Sequence, residues 1–224
     1  MSRTAIKKKR KAAPQRRDNT PLLIAGGVVA ILVVAVLVWI NVTASSAPPA
    51  PPVAASGRTW GKASAPVTID EYADFQCPIC GESDRIMQQI APKYIDTGKA
   101  KVVFHNFAFI GQESTWAAEA ASCAEDQGKF WEYANYVFSK QAGENKGAFA
   151  QDNLKAFASA VGLDTTAFNA CFDSGKYTAA VQQEKAQAEA LGLSSTPTFF
   201  INGQKFEGAI PADRLGQLID SLQK

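Results

Sequence analysis

Cys77 and Cys80 stand three positions apart, with Pro78 and Ile79 between them. Thiols at this spacing have three common readings: half of a zinc site, a redox couple that opens and closes one disulfide, or two unconnected buried thiols. A structural zinc site takes four ligands, usually from a second close cysteine pair or two histidines at short spacing. The chain offers Cys123 and Cys171, far from each other, and a lone histidine, His105. That set does not make a tetrahedral site, so no metal is expected. A redox couple and two unconnected thiols remain, and thiol–disulfide exchange by the couple requires neither metal nor organic cofactor.

Such a pair works only if the fold positions it. Residues 67–73 (VTIDEYA) alternate in the manner of a strand, and the cysteines follow almost at once. Helical periodicity runs from Glu82 to Tyr94 through Ile86 and Ile90. A strand that ends near Phe75 and turns directly into a helix puts Cys77 at the helix N-cap, with Pro78 in the first helical position, where its missing N–H is harmless. Free backbone N–H groups and the positive end of the helix dipole then favour the Cys77 thiolate. Cys80, three residues on, shares that face. Cys77 is thus expected to be the exposed nucleophile and Cys80 the buried resolving thiol. No Lys, Arg or His falls inside the motif, and Glu71, Asp74, Glu82 and Asp84 lie close in sequence. Backbone donors must carry the activation, which leaves the range of about 3.5–7.5 open for the Cys77 pKa.

Downstream, residues 101–107 (KVVFHNF) read as a second strand. A long helical stretch from Ser114 to Leu191 is broken near Gly128, Gly143 to Gly147, Gly162 and Gly175. Thr198–Ile201 is a short apolar strand, and Asn202-Gly203 signals a two-residue hairpin into Gln204-Lys205-Phe206. Pro211 opens a last amphipathic helix with Leu215, Leu218, Ile219 and Leu222 on one face. The order is strand, helix, strand, helical block, hairpin, helix: an α/β domain.

Tyr72-Ala73-Asp74-Phe75-Gln76-Cys77-Pro78-Ile79-Cys80, joined to the later Thr196-Pro197-Thr198-Phe199-Phe200-Ile201-Asn202-Gly203, resembles the DsbA family of thioredoxin-fold proteins. The first motif alone is weak; the two together are specific. The resemblance covers residues 58–224 and implies a thioredoxin-like fold with an inserted helical subdomain at about 112–191. It implies that Pro197 is a cis-proline beside the active site, with Thr196 before it, where neighbouring backbone pairs with an extended substrate peptide. It further implies disulfide formation in exported proteins, with a membrane partner similar to DsbB or to vitamin K epoxide reductase homologues as electron acceptor. Strongly oxidising members usually carry a histidine between the cysteines, and this chain has Pro-Ile. A reductase or isomerase using the same pair therefore stays open, as does a non-catalytic binding module whose cysteines form a structural disulfide.

Cys123 and Cys171 both fall in the helical block. They are either two buried thiols, a second redox pair, or a structural disulfide, and the even cysteine count in an oxidising compartment favours the disulfide. His105 sits between Phe104 and Asn106 in an apolar strand and reads as structural. Phe130, Trp131, Tyr133, Tyr136 and Phe138 read as core.

Eight basic residues and one acid fall within residues 1–20, although the whole chain has a net charge of only +2. The remainder is acidic, which argues against a nucleic-acid-binding domain. Residues 22–40 carry no charged side chain, and a helix of that length is about 28 Å long, enough to cross a bilayer's hydrocarbon core. The expectation is one N-terminal transmembrane helix (21–40), a basic cytoplasmic tail (1–20) and everything beyond on the far side of the cytoplasmic membrane. A cleaved signal peptide is the alternative, although its apolar region is usually shorter. Residues 41–57, with four prolines among Ala and Ser, read as a semi-stiff spacer before a domain at 58–224.

Overall fold

The computed structural model describes residues 55–223. The expected tail and anchor lie outside them. Among the described residues no helix is long and apolar enough to cross a membrane.

Strands β1 (Ala55–Ser56), β2 (Thr59–Trp60), β3 (Val67–Ala73), β4 (Ala100–Asn106), β5 (Thr198–Ile201) and β6 (Gln204–Glu207) form one mixed sheet in the order β1-β2-β4-β3-β5-β6. Helix α1 (Pro78–Tyr94) crosses between β3 and β4, which is why these two central strands run parallel; the other pairs are antiparallel. Both central strands alternate strictly between buried and half-buried positions. Val67, Ile69 and Ala73 of β3 and Val102 and Phe104 of β4 thereby line the main core. Tyr72 and His105 alternate to the other face and stack at 4.5 Å between ring centroids, and Phe200 meets Tyr72 edge-on at 5.8 Å.

The sheet begins earlier than the composition suggested. Ala55 and Ser56 pair with Trp60 and Thr59, so the sheet takes in residues read as spacer. Strands of two residues carry no pattern of their own, and only their neighbours define them.

Between β4 and β5 lie α2 (Gln112–Glu125), α3 (Phe130–Ser139), α4 (Gln151–Ala160), α5 (Thr165–Asp173) and α6 (Thr178–Ala190). Small residues let α2 occupy the centre of this block, with Ala117, Ala118, Ala120, Ala121 and Ala124 all buried. Phe104 of β4 meets Phe130, Trp131 and Phe138 of α3, and Trp131 in turn meets Trp60 of β2, so sheet and helices share one aromatic core. Asp164 caps α5 by accepting N–H bonds from Thr166 and Ala167. Arg58 ties the block to the sheet: its guanidinium reaches Glu125 of α2 at 2.7 Å and Glu184 of α6 at 2.5 Å.

The hairpin from β5 to β6 turns at Asn202 (φ 48°) and Gly203 (φ 84°), the left-handed pair that an Asn-Gly turn supplies. Pro211 caps α7 (Ala212–Leu222), which buries Leu215 and Ile219.

Candidate active site

Helix α1 starts four residues before its apolar periodicity becomes visible. Cys77 is its N-cap, in extended conformation at φ −67° and ψ 119°, and Pro78 opens the helix. The Cys77 N–H donates to the Asp74 carbonyl at 3.0 Å, which closes the turn from β3. Its own carbonyl accepts from Cys80 N–H at 3.0 Å and Gly81 N–H at 3.2 Å. The Cys77 thiol donates to the carbonyl oxygen of Thr196 at 3.3 Å.

Both thiols are free, and both are buried. This corrects the expectation of an exposed Cys77, which is only 7% accessible. Thr196, whose carbonyl lies against the thiol, is distant in sequence, so local pattern could not reveal that contact. The exposed apolar surface of the motif belongs instead to Ile79, 45% accessible.

The two thiols titrate in opposite directions. Hydrogen bonding from Cys80 lowers the Cys77 pKa most; burial opposes it, and the side chain of Thr196 and the backbone N–H groups of Cys80 and Ile79 add to the lowering, which brings it to about 6. Cys80 is pushed well above the usual thiol value by burial, then by Cys77, with the charge of Glu71 adding to the effect. A thiolate beside a protonated thiol is the arrangement a nucleophile and its resolving partner require.

Three acids lie buried around the pair. Asp74 is satisfied by backbone: one oxygen accepts from Gln76 N–H at 2.8 Å, the other from Phe109 at 2.9 Å and Ile110 at 3.1 Å. Glu71 shares the inward register of Val67 and Ile69, and burial first and Asp84 second raise its pKa to about 8. Burial likewise lifts Asp84 to about 7, against a hydrogen bond from Gln88 and the charge of Arg85.

The segment from Thr196 closes the other side of the site. The Thr196–Pro197 peptide bond is cis. The Pro197 carbonyl accepts from Gly208 N–H at 2.8 Å, and the Thr198 hydroxyl donates to the Ser195 carbonyl at 2.8 Å. Cys77, Cys80, Thr196 and Pro197 are thus brought together from chain segments that lie over a hundred residues apart.

Cys123 and Cys171 are joined by a disulfide that links α2 to α5, with Cα atoms 5.9 Å apart. The bond lies in the helical block. His105 is held at 2.9 Å from Asp70 on the half-buried sheet face. Among the described residues no cluster of three or more His, Cys, Asp or Glu side chains could hold a metal.

Sequence reasoning passed over Gln141 and Asn145, which reach the site from the loop after α3. The Gln141 amide donates at 2.8 Å to both the Phe75 and Cys77 carbonyls. Gln76 donates to Asn145 Oδ1 at 3.2 Å and Ser114 at 2.9 Å, and accepts from the Asn145 N–H at 2.6 Å. The available signal was indirect: a glycine, Gly81, inside the first turn of a helix.

A family model described as thioredoxin matches residues 54–221. The chain belongs to the thioredoxin family. Among curated relatives of this thioredoxin-family chain is a Na(+)/H(+) antiporter NhaA 1 of Salinispora arenicola, 30% identical over 166 residues, which are 72% of this chain and 24% of the antiporter. The chain therefore spans about a quarter of the length of that relative. A probable disulfide bond formation protein D of Bacillus anthracis is 28% identical over 65% of this chain and 70% of its own length. Among solved structures, Wolbachia pipientis alpha-DsbA1 superposes with a TM-score of 0.67 at 27% identity, covering 74% of this chain and 90% of that one.

Proposed function

We propose that the chain is a thiol–disulfide oxidoreductase that forms disulfides in exported proteins. One observation carries this reading: Cys77 is held as a low-pKa thiol at a helix N-cap, against the carbonyl of Thr196 before a cis-proline, with a high-pKa Cys80 behind it. The likeness to a disulfide bond formation protein D and to alpha-DsbA1 supports it.

In the oxidised enzyme a substrate thiolate attacks the Cys77 sulfur, and the Cys77–Cys80 bond breaks with Cys80 leaving. The new bond joins substrate to Cys77. A second substrate thiolate attacks the substrate sulfur of this mixed disulfide, and Cys77 leaves as thiolate. The substrate is oxidised by two electrons and the enzyme retains a dithiol. A low pKa makes Cys77 a good leaving group in that second step, which is the step that favours oxidation. Extended substrate lies along the backbone around Thr196 and Pro197. Reoxidation falls to a membrane partner resembling DsbB or vitamin K epoxide reductase homologues.

Location is part of the same reading. The apolar run at residues 22–40 behind a basic tail supports a single-pass anchor in the cytoplasmic membrane with the catalytic domain outside, where disulfides persist. Carbonate extraction tests the anchor; a domain released from membranes would remove it. For the chemistry, oxidation of a reduced two-cysteine peptide by the oxidised chain is the direct assay. Cys77→Ser should abolish it, and a variant that kept full activity would refute the assignment. The Cys77–Cys80 potential separates oxidase from reductase, and failure of both peptide oxidation and insulin reduction would leave a binding module.

A further inference from the structure

We propose that Gln141 is a positioning residue for Cys77: its carboxamide clamps the backbone on both sides of Gln76 and so holds the nucleophile at the head of α1. This rests on the oxidoreductase reading, since it assigns a role within that site.

The geometry is specific. A single nitrogen, Nε2, donates to the Phe75 carbonyl and to the Cys77 carbonyl, each at 2.8 Å. These two carbonyls flank Gln76, whose own side chain is bonded to Asn145 in the same loop. The loop after α3 therefore grips residues 75–77 by both backbone and side chain. Both amide protons of Gln141 are consumed, and the group brings no net charge into a site that already holds Glu71 and Asp84.

Gly81 supplies the second observation. Glycine in a helix interior costs about 0.5–1 kcal/mol relative to alanine. Gly81 does not have the positive φ that would call for glycine. A methyl group there would instead overlap the Gln141 side chain, whose Oε1 and Cδ lie over its Cα. The helix surface beneath Gln141 is kept bare, and the amide can descend onto the Cys77 carbonyl.

The consequence for chemistry follows from what the clamp holds. The Cys77 thiolate is stabilised by directional N–H donors of Ile79 and Cys80, and those act only while the N-cap backbone stays in place. Two carbonyl oxygens bonded to an amide also turn their negative ends toward donors. Releasing them leaves the Cys77 carbonyl only its Cys80 and Gly81 N–H donors, takes the Gln141 donor from the Phe75 carbonyl and loosens the N-cap, which disfavours thiolate.

The test compares Gln141→Leu, which keeps bulk and removes both donors, with Gly81→Ala, which displaces the same amide from below while improving helix propensity. The readouts are the pH titration of Cys77 by alkylation rate in the reduced chain and the Cys77–Cys80 potential against glutathione. Each variant should raise the Cys77 midpoint by about 0.5–1 unit, seen as a roughly three- to eightfold loss of alkylation rate at pH 5.5, and should make the couple less oxidising. The double variant should add little to either single one, because both remove one interaction. Wild-type titration in either variant, whatever happens to its melting temperature, would overturn the proposal and leave Gln141 a structural tether. Absence of peptide oxidation by the wild-type chain would overturn the oxidoreductase reading instead, without moving the titration result.

Discussion

The Cys77 thiol and the Thr196 carbonyl oxygen lie 3.3 Å apart although 119 positions separate them in the chain. That contact seats the thiol of one segment against the backbone that precedes the cis-proline of another. In the proposed reaction a peptide laid along Thr196 and Pro197 would bring its sulfur close to Cys77.

Reactivity should follow the lowered thiol. Alkylation of the reduced chain by iodoacetamide should rise through a midpoint near pH 6, the value to which Cys77 is brought down, whereas an ordinary thiol reacts with a midpoint near 9. Mass spectrometry at pH 7 should find one adduct, on Cys77, because Cys80 stays protonated. A depressed pKa stabilises the reduced fold above the unfolded thiol value, and this is lost as pH falls through about 6. The reduced form should accordingly lose stability relative to the oxidised form as pH falls toward 6, as measured by urea unfolding of each.

Glu71 has the opposite sign. Its pKa is raised by burial to about 8, so its contribution is complete below the unfolded carboxylate value and is lost as pH rises through about 8. Stability should fall between pH 5 and pH 8, and Glu71→Gln should flatten that fall, with a gain at pH 8 on the order of 3 kcal/mol. The same substitution removes a charge that raises Cys80, and Cys80 should titrate lower in the variant. Paired denaturation curves at the two pH values check the first outcome.

The disulfide between Cys123 and Cys171 closes a loop with a sequence separation of 48. In the chain-entropy treatment such a loop restricts the unfolded state by about 4 kcal/mol. The double variant Cys123→Ala/Cys171→Ala should lose stability on that scale while retaining the Cys77 titration, since the bond lies in the helical block and not at the cysteine pair of α1. Equilibrium unfolding and alkylation of the same sample measure both.

Arg58→Ala should destabilise by something on the order of 3 kcal/mol, because Glu184 would keep one oxygen bonded to the Asn106 N–H at 2.9 Å and lose its cation. The cost belongs to the junction of sheet and helical block, so cooperative unfolding should give way to two steps. Calorimetry distinguishes that from a uniform shift in melting temperature.

Much of the scaffold was legible from local pattern. The alternation of residues 67–73, the proline after Cys77 and the Asn202-Gly203 turn each have one local solution, and the structure adopts it. Period-two register even put Glu71 in phase with Val67 and Ile69, a sign of a buried acid that was available and went unread. The strands at Ala55 and Thr59 were not legible, because two residues have no period and owe their conformation to pairing, β1 with β2 and β2 with β4.

The cysteine motif shows the division most clearly. Residue types and spacing alone determined that a thiol would stand at a helix N-terminus with a second thiol one turn on, since a proline and a strand-to-helix turn dictate it. Whether that thiol is open to solvent was decided only by tertiary structure: it is covered, with Thr196 against its sulfur and Gln141 against its carbonyl. Burial, hydrogen-bond partners and the pKa values they set depend on side chains brought together through space, and no local pattern encodes where a distant loop will land.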